Sequence, residues 1–212
     1  MASEDTERPP TPVFGSEIHT ISSRADTTIT VQDVKNSIGQ RHSVKFRVES
    51  ASLKFVSSYF RSSLRFNNQH GHELVLKDDD PGALRVWFIY IHAVVKGKEN
   101  DGEPKVTEED SKKLFKSAGV KNTGIARIWN IINAGDKYLL NGTILEGFFG
   151  LWYAKNVDLS GSRIDEDFQD FLRQLALPCY MFNHRKGFAA VTKWLVYNIP
   201  GQITEKRPPG FK

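Results

Sequence analysis

The chain of 212 residues has one cysteine, Cys179, and two methionines. A single thiol excludes internal disulfides and four-cysteine zinc sites, and it points to a reducing, intracellular compartment, cytoplasmic or nuclear. Long apolar runs are missing as well. The longest uncharged one, Val86–Val95, has ten residues, where a membrane-spanning helix needs about 18–20. No membrane partner is expected. Met1–Pro12 carries Glu4, Asp5 and Glu7 without an apolar stretch, so it does not read as a secretory signal. Charge of one sign is scarce too, since 29 Lys+Arg against 25 Asp+Glu leave +4. A nucleic-acid binder gathers its positive charge on one stripe or tail. Here Lys96–Lys121 holds seven lysines but also six acids, and only Lys206-Arg207 with Lys212 is net basic. Without a coherent field, nucleic acid is not an expected partner.

What is present is an ordinary globular composition, 39% hydrophobic and 25% charged, enough for a real core. Residues 1–24 are rich in Ser, Thr, Pro and Glu and read as a disordered tail. Thr28-Ile29-Thr30-Val31 is a β-branched strand signal. Val44, Phe46 and Val48 alternate with charged residues, which describes a strand with one buried face. Asn36-Ser37-Ile38-Gly39 between the two has turn chemistry. From Ser50 the period changes to three and four (Leu53, Val56, Phe60, Leu64), and Ser57-Ser58 divides this stretch into two short helices. A third strand lies in His72–Asp78. Asp78-Asp79-Asp80-Pro81 then reads as a helix start, followed by Leu84, Trp87, Phe88 and Ile91. Lys96–Gly124 reads as a solvated insertion. Two further helices carry Ile125–Leu139 and Ile144–Trp152, with Asn141-Gly142 turning the chain between them. Residues 158–200 form a helical extension in two parts. Ser162 with Asp165 approximates a capping box for the first, which ends at Pro178. Residues 201–212 are a loose tail.

No constellation for chemistry emerges. Neither G-x-G-x-x-G, nor G-x-x-x-x-G-K-S/T, nor G-x-S-x-G occurs. His70-x-His72 has metal-compatible spacing but no third ligand nearby. Cys179, beside Pro178 and Tyr180, reads as a small buried hydrophobe rather than half of a nucleophile–base or zinc pair with His184. Asp78-Asp79-Asp80 reads as helix capping rather than a cation site. Asp136 and Lys137 are neighbours on a helix and do not face each other. No cofactor, metal or enzymatic activity is expected.

Four segments, taken in order, carry a resemblance. They are Ala25-Asp26-Thr27-Thr28-Ile29-Thr30-Val31; Phe46–Leu53 with Ser57-Ser58-Tyr59-Phe60; Leu74-Val75-Leu76 with Asp78–Pro81 and Phe88–His92; and Ala134-Gly135-Asp136-Lys137-Tyr138. Together they resemble the BTB/POZ domain, in its fungal stand-alone form, over residues 25–157. The segment Pro178–Phe188 is similar to the helical tail of the fungal members. The resemblance implies an α+β fold: a small, mainly antiparallel sheet flanked by a cluster of α-helices, with a helical C-terminal extension. It implies a protein-interaction module that self-associates or docks other proteins, and it allows a role as substrate adaptor on a cullin scaffold of a ubiquitin ligase. An adaptor also needs a substrate-binding domain, and none of the usual ones fits in the last 55 residues, which favours the plain interaction role. The implied surface comprises Asp26, Ile29, Val31, Ser50, Leu53 and Phe55. The family commonly has His and then Lys or Arg before the first helix, where this chain has Glu49-Ser50. Asp26 is thus expected to lack its usual cation and to leave any homodimer weak. Leu53 and Phe55, two positions apart on a helix, cannot both face the core.

Overall fold

Alternation in the segment Arg41–Val48 decides how the sheet is built. Val44, Phe46 and Val48 are buried while Arg47 is exposed, as a strand with one covered face requires. In the computed structural model, which describes residues 16–35, 39, 41–66, 73–101, 124–160 and 165–209, this segment is β3. It runs antiparallel to β2 (Thr27–Lys35), with Ile29 opposite Phe46 and Val31 opposite Val44. β4 (Glu73–Lys77) lies parallel on the far side of β2, and β1 (Ser16–Thr20) lies parallel on the far side of β3. The order is β1-β3-β2-β4.

This corrects two expectations. The sheet is mixed rather than mainly antiparallel, because only β2 and β3 pair antiparallel. Two helices join β3 to β4, and β4 runs opposite to β3, hence parallel to β2 beside it. Ser16–Thr20, read as part of the disordered tail, is the fourth strand of the sheet. The turn at residues 36–38, the His70-x-His72 pair, Ser162 and most of the Lys96–Gly124 insertion lie outside the described residues.

One face of the sheet carries the core. Leu74, Ile29, Phe46 and His19 form a row across all four strands, and Leu76, Val31 and Val44 form the next. Helices cover that face. They are α1 (Ser50–Val56), α2 (Ser58–Phe66), α3 (Pro81–Asp101), α4 (Ile125–Lys137) and α5 (Gly142–Asn156). Helix α3 thus runs through Asp101, past the expected start of the insertion at Lys96. Phe46 meets Phe88 of α3 edge-on at 5.3 Å, and Phe60 of α2 stacks on Tyr138 at 5.2 Å. Trp87 turns the other way and donates from Nε1 to the Ile131 carbonyl at 2.7 Å. That approach explains Gly135, since a Cβ there would lie 2.8 Å from Leu145 and 3.2 Å from the Trp87 ring.

The C-terminal unit is α6 (Glu166–Met181) and α7 (Arg185–Asn198). Asp165 is itself the N-cap of α6 and accepts from the Phe168 amide at 2.9 Å, so the helix starts three residues later than the box read from Ser162 implied. Pro178 does not end the helix but lies inside it. Proline lacks the N–H that would reach Gln174 four residues back. The freed Gln174 carbonyl accepts instead from Trp129 Nε1 of α4 at 3.1 Å, so the missing bond becomes a contact between the two helical units. Leu172, Leu175, Cys179, Val191 and Leu195 join the same buried cluster as the sheet.

Phe46 is fully buried at the centre of the sheet. Phe46→Ala is therefore expected to cost about 3–5 kcal/mol, measured by urea unfolding. A cost below about 1 kcal/mol would contradict this strand register.

Candidate interaction surface

Helix α1 has no acidic residue in its first turn, and its N-cap residue, Glu49, makes no side-chain capping bond. The Glu49 amide is occupied elsewhere, donating to His92 Nε2 at 3.0 Å. His92 sits buried on α3, with Nδ1 2.7 Å from the Phe88 carbonyl, so the tautomer that fits places the hydrogen on Nδ1. The helix start is held from outside by Asp26, just ahead of β2. One oxygen of Asp26 accepts from the Ser50 amide at 2.7 Å and the other from the Ser50 hydroxyl at 2.8 Å. The Asp26 amide in turn donates to the Val48 carbonyl at 3.1 Å. Arg24 approaches Glu49 at 3.5 Å on the same corner.

Asp26, expected to lack its usual cation, is held by neutral donors. Ser50 is the partner, within the same chain. Burial alone pushes the Asp26 carboxyl up. The bonds from the Ser50 amide and hydroxyl, with one from the Thr27 side chain, outweigh it and hold the group below the ordinary carboxylate range.

Of the six residues the resemblance assigned to a surface, four are buried within the chain. Ile29, Val31 and Leu53 are fully buried in the chain's own core. Ser50 is buried beside Asp26, which itself remains exposed. Phe55 is 53% exposed. The either-or between Leu53 and Phe55 thus resolves with Leu53 inward and Phe55 outward.

The C-terminal end of α1 is held as firmly. Ser57 separates α1 from α2. Its hydroxyl donates to the Tyr138 carbonyl at 2.6 Å and accepts from the Phe60 amide at 3.0 Å, capping α2. The Val56 carbonyl accepts from the Asn141 amide at 2.8 Å. Beyond β4, Asp80 caps α3 through the Gly82 and Ala83 amides and receives Asn130 at 2.7 Å. Asp79 accepts from the Tyr138 hydroxyl at 2.6 Å and from Lys137 Nζ at 2.9 Å. Asp79 and Asp80 of the aspartate run thus bond to helices on either side.

Cys179 and His184 flank the turn into α7, where the His184 amide donates to the Cys179 carbonyl at 2.8 Å. Burial pushes the Cys179 thiol up to about 12 and the imidazole of His184 down. A protonated thiol beside a neutral ring is not an activated nucleophile. Among the described residues, no group of three or more His, Cys, Asp or Glu side chains is placed to hold a metal ion, and no helix is long and apolar enough to cross a membrane.

Sequence reasoning gave no role to Arg24 or His92 and did not single out the exposed Val196 and Tyr197. Only His92 left a signal, as the one basic ring within the apolar run of α3. No family model, curated protein or solved structure matches the chain.

Asp26→Ala removes the carboxylate that holds the Ser50 amide at the α1 start and is expected to cost about 0.5–2 kcal/mol at neutral pH. Because the folded state lowers the Asp26 pKa, this stabilisation is present above the ordinary carboxylate value. It fades as pH falls through the lowered folded value. Urea unfolding of both proteins from neutral pH to about pH 3 checks this, and a gap that does not shrink contradicts it.

Proposed function

We propose that the chain is a protein-interaction module of the BTB/POZ type, which self-associates or docks other proteins and performs no catalysis. One observation carries this reading. The four segments that resemble the family are bonded to one another: Asp26 of the first to Ser50 of the second, Ser57 of the second to Tyr138 of the fourth, and Asp79 of the third to Lys137 and Tyr138 of the fourth. These bonds tie the four segments into one core, which supports the reading.

The contact surface in this reading is the outer side of α1, where Phe55 presents a large apolar side chain. Fully burying such a group yields roughly 1.5–3 kcal/mol, and about half of that remains available at Phe55, which is 53% exposed. Support for the absence of catalysis comes from the environment of Cys179 and His184, which leaves the only thiol protonated.

Light scattering across a concentration series tests the reading. The mass of the wild-type chain is expected to rise over the micromolar range, which corresponds to about −8 kcal/mol. Phe55→Asp, which puts a charge on the contact while leaving the core intact, is expected to lower the mass at every concentration. A wild-type chain that stays monomeric, or a Phe55→Asp curve that overlies it, would overturn the assignment of this surface.

A further inference from the structure

The sheet ends at β1, and among the described residues nothing pairs with its outer edge. The Ile21 amide donates to the Arg47 carbonyl of β3 at 2.9 Å. Backbone groups alternate along a strand, so Glu17 and His19 also direct theirs at β3, whereas Ser16, Ile18 and Thr20 direct theirs outward. Ile18 is 60% exposed, on the same face as Lys45. Glu17 and His19 lie on the other face, 3.1 Å apart, with His19 stacked on Phe46 at 5.4 Å. An edge with an exposed isoleucine and unpaired backbone groups is a template for another strand.

The sequence of β1, Ser-Glu-Ile-His-Thr, is complementary to itself when reversed about its centre. We propose that a second copy of this chain adds to the edge, β1 antiparallel to β1, with the two-fold axis through Ile18. The two sheets then become one continuous sheet. Ile18 forms a hydrogen-bonded pair with its own copy, and Ser16 with Thr20, using the amides and carbonyls that point outward. Glu17 stands opposite His19 of the other copy in both directions, an acid against a base. A shift of two residues either way sets Glu17 against Glu17 or His19 against His19, so charge selects this register. The edge is a second surface, separate from the Phe55 side of α1, and it specifies one partner of the interaction module proposed above.

Cysteine crosslinking of the full chain tests the register. Residues in a hydrogen-bonded antiparallel pair have Cα atoms about 5.5 Å apart, inside the 4.4–6.8 Å span of a disulfide. Ile18→Cys is expected to form a disulfide dimer under mild oxidation at least about tenfold faster than Glu17→Cys, which faces His19 instead of itself. Ile18→Pro removes an amide that points away from β3 and is expected to weaken self-association at least about tenfold in sedimentation equilibrium. Should that variant fail to fold by circular dichroism, Ile18→Lys takes its place, keeping the backbone and setting like charges opposite. Equal crosslinking of Ile18→Cys and Glu17→Cys, or unchanged association of the edge variants, would overturn the proposal and leave the edge to a strand from a different protein. Adding Phe55→Asp to Ile18→Cys is expected to leave the crosslink intact. Failure at the edge and failure of the α1 surface are thereby told apart.

Discussion

A helix of seven residues, the length of α1, forms too few internal bonds to persist by itself, since isolated helices shorter than about 12–15 residues are marginal in water. It exists here because both ends are tied to other elements. Asp26 holds the Ser50 amide at one end, and Asn141 and Ser57 hold the other. The two ties fix the rotation of the helix about its axis. That rotation places Leu53 in the core and Phe55 in solvent, so the candidate surface is a consequence of where a carboxylate before β2 and a hydroxyl after α1 find their partners.

The same economy of polar groups connects the remaining elements. Tyr138 takes part in three bonds or contacts at once. Its carbonyl accepts from Ser57, its hydroxyl donates to Asp79, and its ring stacks on Phe60. Burial pushes its phenol up, and the Asp79 carboxylate adds to that, so the hydroxyl keeps its proton for Asp79. The helical C-terminal unit is joined by a bond that exists because Pro178 cannot make its own. Apolar burial supplies most of the stability, but these directed bonds decide which helix faces which strand.

The legible part of the fold was the part with strict periodicity. Val44, Phe46 and Val48 announced β3, and the three-and-four spacing after Ser50 announced α1 and α2, with the break at Ser57 in the right place. β1 was not legible, because Ser-Glu-Ile-His-Thr has one aliphatic residue and lies at an edge, where burial leaves little pattern. That β4 lies beside β2 rather than β3 depends on where the long connection from β3 returns the chain, which alternation along a strand does not encode. Pro178 read as a helix end because its cost is local, while the compensating bond comes from Trp129, far away in sequence. At the candidate site the sequence singled out Asp26, Ser50 and Phe55, yet it paired Asp26 with nothing. A cap delivered across 24 residues leaves no local motif. Ile29 and Val31 carried the family's expectation of a surface, whereas their shared strand face is the one the helices cover.

The central claim is that the Asp26 carboxylate, charged and bonded to Ser50, sets the orientation of α1. Nuclear magnetic resonance titration tests it directly, following the Asp26 carboxyl carbon and the Ser50 amide together as pH falls. The account predicts one common transition, below the ordinary Asp value of 3.8, with the Ser50 amide moving as the carboxylate protonates. A Ser50 amide indifferent to pH, or an Asp26 that titrates at or above that value, would contradict it.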